Sequence, residues 1–184
     1  DRIRTLDIFI RTNFAVADQA SPALSDLDEI MRTRNASRFG LNRLYVNLLR
    51  EAGIEQQVVL TSDRTSSPFD PTFEAHNYLN GLLLYFPGCK KYLEPIEFSL
   101  GLGYPSPEYM GTHGLYIRNI DVGGVFSGVG SIKAIPELPA KATRHDLDIH
   151  VRFNDDLTSS TVEVRNELFG YYARFLQIYY AYMN

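Results

Sequence analysis

The chain has 184 residues, 45% of them hydrophobic and 22% charged, with Tyr 12, Phe 11 and no tryptophan. That length can bury one substantial core, or one core plus a small appendage. A formal charge of −4 without a lysine or arginine run excludes the electrostatic footprint of a nucleic-acid binder, and the single cysteine excludes an internal disulfide and a multi-cysteine metal site. No window approaches 18 consecutive apolar residues, so no segment reads as a membrane span. The chain begins DRIRTLDIF without an initiator methionine or a signal-peptide pattern, and is read as a piece of a longer protein.

Taken in order, Ile3, Leu6, Ile8, Phe9, Ile10 and Phe14 predict a partly buried helix over residues 1–16. A turn over 18–22 follows. Ser25, with Asp28 three residues on, reads as an acidic capping box and predicts a short helix over about 25–33. Leu41, Leu44, Tyr45, Leu48, Leu49 and Ala52 then form one apolar stripe at helical spacing, and Gly53 is the natural stop. Gln57 to Thr61 is continuous and β-branched, which predicts a buried strand.

Thr65 to Pro71 is loop by composition. Two strands are expected over about 77–86 and 91–95, joined by a hairpin at Pro87-Gly88. Residues 99–113 are too rich in glycine and proline for regular structure, and 114–119 reads as another strand. Residues 121–140 are again punctuated by glycine and proline and are expected to form a linker or covering loop. Beyond it, 146–153 alternates polar and apolar residues, as a strand with one wet face does. A turn at 154–156 and a return strand at 161–165 complete a hairpin. Phe169, Tyr172, Ala173, Leu176, Tyr179, Tyr180 and Met183 recur at helical spacing and predict a terminal helix, expected to pack on the hairpin or on a neighbouring domain. The fold class that follows is α+β. The expected domains are a core over 1–120, the linker, and a hairpin-plus-helix over 141–184 that begins or edges a following domain.

The order of these motifs resembles the transglutaminase-like core domain, a papain-like fold found in large secreted bacterial proteins of unknown function. The residues carrying the resemblance are Leu48-Leu-Arg-Glu-Ala-Gly-Ile54, Val58-Val-Leu-Thr-Ser-Asp-Arg64, His76-Asn77-Tyr78-Leu79, Tyr92-Leu-Glu-Pro-Ile96 and the glycines from Gly101 to Gly114 that lead into Ile117. That resemblance implies a Cys-His-Asp site: a cysteine at a helix head activated by the helix dipole and by an imidazole, which a carboxylate orients. The three positions fall on Arg38, Tyr78 and Glu94, so each differs from the family's pattern. Arginine does not deprotonate in proteins, and tyrosine, with a pKa near 10, is a poor base.

A site rebuilt from neighbours would use Ser37, His76 and Glu94. Ser37, just ahead of an apolar-striped helix, is more often an N-cap, and His76 beside a loop is more often a surface or hydrogen-bonded histidine. Asp70-Pro71-Thr72 reads as a turn. Cys89 at a hairpin tip has no helix dipole to lower its pKa, which makes it a turn residue first and a nucleophile second. Asp146, Asp148 and His150 share one strand face, where a solvated surface is the usual outcome and a metal site would need a remote fourth ligand.

These readings point to a catalytically silent transglutaminase-like module that binds or scaffolds, with a peptide, a protein or adjacent domains of the same chain as partner. No cofactor, nucleic acid or membrane insertion is expected, and the resemblance implies a periplasmic or extracytoplasmic setting. The alternatives are a hydrolase or acyltransferase with a relocated nucleophile, Ser37 or Cys89, and an architectural spacer in a cell-envelope protein.

Overall fold

The computed structural model describes residues 2–19, 21–73, 77–123, 125–174 and 176. The chain divides into two units, Asp1–Glu137 and Leu138–Asn184. Both mix or continue the α+β character that the sequence predicts, with every strand pair but one antiparallel.

In the first unit, helix α1 (Arg2–Asn13) buries Ile10 and is followed by the buried Phe14. A two-residue parallel pair, β1 (Ala15–Val16) with β2 (Asn35–Ala36), brackets a short 3-10 turn and helix α2 (Leu27–Thr33). The cap of α2 differs from the expected one. Asp26 Oδ1 accepts from Glu29 N at 3.0 Å, while Ser25 ends the 3-10 turn and turns its hydroxyl to Ser37. Asp26 wins because its carboxylate also sits favourably at the positive end of the helix.

Helix α3 (Arg38–Glu51) follows the predicted stripe: Leu41, Leu44, Tyr45 and Leu49 are buried. Each such leucine contributes about 1.5–3 kcal/mol by leaving water. Gly53, at φ +63°, stops the helix; its N–H and that of Ile54 donate to Arg50 O and Leu49 O. Strand β3 (Gln57–Thr61) then lies at the centre of a five-stranded sheet with β4 (Gly81–Phe86), β5 (Lys91–Leu93), β6 (Thr112–Val122) and β7 (Val125–Ile135), in the order β5-β4-β3-β6-β7.

The helices cover one sheet face. Leu84, Phe86 and Leu93 join Ile10, Ile30, Leu41 and Leu44 in that core. Val59, Leu83 and Tyr116 are buried on the opposite face, where Tyr85, Tyr92 and Tyr116 cluster. The hydroxyls of Tyr92 and Tyr116 lie 2.6 Å apart.

Two expectations change here. The stretch read as a linker carries β7, paired with β6 in unbroken register from Thr112↔Ile135 to Val122↔Val125. Its glycines look like loop punctuation but have a packing reason: a Cβ at Gly130 would stand 3.0 Å from Leu115 Cδ1 across the ladder. The strand expected from residue 77 begins only at Gly81, with Asn77 and Tyr78 in a turn.

The second unit is a hairpin of β8 (His145–Phe153) and β9 (Ser160–Leu168), closed by a turn in which Asn154 Oδ1 accepts from Ser159 N at 3.0 Å. Helix begins again at Tyr171. The rest of the predicted terminal stripe, Tyr179, Tyr180 and Met183, lies outside the described residues.

Candidate functional site

The head of α3 is built from the 3-10 turn upward. Leu24 O accepts from Ser37 N at 2.8 Å, and a Cβ at Gly40 would fall 2.1 Å from that same oxygen. Only glycine lets the turn lie against the helix's first residues. The Ser37 hydroxyl is then fully engaged. It accepts from Gly40 N at 3.0 Å, lies 2.8 Å from Ser25 Oγ and donates to Leu24 O at 3.2 Å. This is an N-cap, and its partners among the described residues include no base.

Arg38 is exposed and borders an open depression of about 450 Å3 with Ala17, Pro22, Ser25, Ser37 and Phe39. Its charge reaches Tyr109, where it opposes a raised phenol pKa. Burial is the main cause of that rise, followed by the carboxylates of Glu94, Asp63 and Glu108. Tyr109 lies at the end of a 3-10 turn (Pro107–Tyr109), its ring against Gly81, where a Cβ would stand 2.7 Å from Cε1.

Glu94 follows β5 directly and is only 6% exposed. Its Oε2 accepts from Ser106 N at 2.9 Å and from Ser106 Oγ at 2.6 Å. Burial pushes its pKa up, the two Ser106 bonds pull it down, and Glu97 and Glu108 add to the rise. The carboxylate thus anchors the glycine- and proline-rich loop across its own position. The backbone there is fixed from the other side: Arg11 donates to Glu94 O at 3.1 Å and to Glu97 O at 2.7 Å. Arg11 in turn pairs with Asp7 at 2.6 Å, and Asp7 accepts from the buried Tyr45 hydroxyl at 2.8 Å.

Tyr78 makes its contacts within its own loop. Its hydroxyl donates to Asp70 O at 3.3 Å, and its ring lies 6.2 Å from those of Phe69 and Phe73. Asp70 forms the expected turn, accepting from Thr72 N at 2.8 Å and Thr72 Oγ1 at 2.6 Å, which holds its carboxyl below the usual range. His76 lies outside the described residues. Cys89 is exposed at the hairpin tip, its Sγ 3.9 Å from Phe86 O. His150 sits 3.3 Å from Asp148, yet no group of three metal-ligating side chains occurs among the described residues.

Of the positions singled out by the sequence, Glu94 is tied to Ser106, Arg38 lines the depression at the head of α3 and Tyr78 bonds within its own loop, so no hydrogen bond joins the three. Tyr109, Ser106 and the Asp7–Arg11–Tyr45 network were missed. Asp7 and Arg11, four apart on an otherwise apolar helix face, were the legible sign of that network. Among the described residues no helix is long and apolar enough to cross a membrane. Comparisons with known protein families, with curated proteins and with solved structures find no match for this chain.

Proposed function

We propose that the first unit, Asp1–Glu137, is a transglutaminase-like core whose reactive positions have been turned into structural ones, and that the domain works as a protein- or peptide-binding or scaffolding module within a larger protein. The observation that carries this reading is the Glu94 carboxylate, buried and doubly bonded to Ser106. Both bonds converge on Oε2 and tie the glycine- and proline-rich loop to this position, a structural use of the carboxylate. The Ser37 hydroxyl, spent on capping, adds to the case, because a relocated serine nucleophile would need a base at hydrogen-bond distance. The open depression combines Arg38 and Asp18 with the apolar Ala17, Pro22 and Phe39, a lining that suits recognition better than chemistry.

The test is direct. Purified chain is incubated with peptide and amide substrates, with an amine acceptor, and with fluorophosphonate and iodoacetamide-type probes. No turnover is expected, and the only labelling expected is slow alkylation of the exposed Cys89. Turnover abolished by Ser37→Ala, Cys89→Ala or Glu94→Gln would refute the reading and restore the enzyme alternative.

A further inference from the structure

In β8 and β9 the alternation His-Asp-Leu-Asp-Ile-His-Val-Arg-Phe and Ser-Thr-Val-Glu-Val-Arg-Asn-Glu-Leu sorts the side chains onto two faces. The register sets Ile149 opposite Val164 and Val151 opposite Val162, with Leu147 and Phe153 at either end of the row. These six side chains make one apolar face, and each is between 49% and 64% exposed. Asp146, Asp148, Arg152, Glu163 and Arg165 all lie on the other face. The apolar face holds no Asp, Glu, Lys or Arg at any position from His145 to Phe153 or from Ser160 to Leu168.

A two-stranded hairpin with one bare apolar face is marginal in water, since its ladder alone does not offset the entropy of ordering eighteen or so residues. The sequence nonetheless commits to nine unbroken pairs. Something has to cover that face, and a second copy of this chain fits it. We propose that two copies associate through the apolar face of the β8–β9 hairpin, giving a two-layer, four-stranded sandwich with the charged faces outward.

Three features support that occupant. A face without a charge can be laid on its own copy without burying an ion or opposing like charges, so it is self-complementary. Six half-exposed aliphatic and aromatic side chains at roughly 80 Å2 each give about 500 Å2 per copy. The pair therefore buries about 1,000 Å2, the level at which specific association begins. Finally, mid-sized aliphatic side chains at the centre of the face suit the ~10 Å spacing of packed sheets.

The experiment is sedimentation equilibrium of the full 184-residue chain from about 1 to 300 μM, the range in which an interface of this size is expected to dissociate. A monomer–dimer equilibrium is expected, weakened at least tenfold by Ile149→Lys and by Val164→Lys and unchanged by Asp148→Asn on the charged face. In case a lysine unfolds the hairpin, a second reading uses V151C in a Cys89→Ser chain. Val151 lies near the centre of the face, so mild oxidation should give a disulfide-linked dimer. A chain that stays monomeric over the whole range overturns the proposal, including one whose residues 171–184 cover the face from within. So does a dimer that survives both lysine substitutions and gives no cross-link through V151C.

Discussion

Glu94 carries the largest single-residue consequence. Its folded-state pKa is raised, mainly by burial, so the folded chain binds a proton there more tightly than the unfolded chain does. Stability from this group is therefore greatest below the unfolded value of about 4.3 and is lost as pH rises through the folded value. Glu94→Gln keeps an acceptor for Ser106 without the buried charge. Its urea midpoint should match wild type near pH 4 and exceed it increasingly toward pH 7. Glu94→Ala, which orphans both Ser106 donors, should lie about 1–3 kcal/mol below Glu94→Gln at any pH. Coincident curves for the Gln and Ala variants would show that the side chain at this position does not hold the loop. This role was only half legible in the sequence. The position of Glu94 after a strand could be read, but Ser106 lies twelve residues on, in a stretch whose composition says only loop. Tyr78 misled for the opposite reason: apolar Leu79 and the run that follows extend the strand pattern backwards, while the backbone pairs only from Gly81.

At the level of elements, the segment from α3 to β3 was readable because two independent signals agreed, the 3.6-residue stripe and the glycine stop. β7 was not, because its glycines serve the side chains of β6 and leave no periodic mark of their own. Gly81 is the same kind of residue in a place where it can be tested. With Tyr109 Cε1 only 2.7 Å from an added Cβ, Gly81→Ala should destabilise by about 1–3 kcal/mol despite the better strand propensity of alanine. In a Tyr109→Ala background most of that cost should disappear. A double-mutant cycle by urea denaturation measures the coupling, and additive effects would mean that the ring does not rest on β4.

For the whole chain, the division at Glu137 separates a unit with a two-sided core from one whose apolar face is in water. The first follows the consistency expected of a foldable sequence, and the second departs from it only at the surface where a partner is called for. The tyrosine trio on the far side of the sheet has an optical consequence. With no tryptophan in the chain, ultraviolet emission and the long-wavelength part of the near-ultraviolet dichroism come from tyrosine. Packing around Tyr85, Tyr92 and Tyr116 fixes three rings in one chiral arrangement, so they should dominate the dichroic signal. Burial raises the phenol pKa of Tyr45, Tyr92, Tyr109 and Tyr116. Alkaline titration should therefore occur in two stages. These four phenols, held above the ordinary tyrosine value, should ionise last and only as the dichroism collapses. The second colour change thus doubles as a clock for the opening of the sheet.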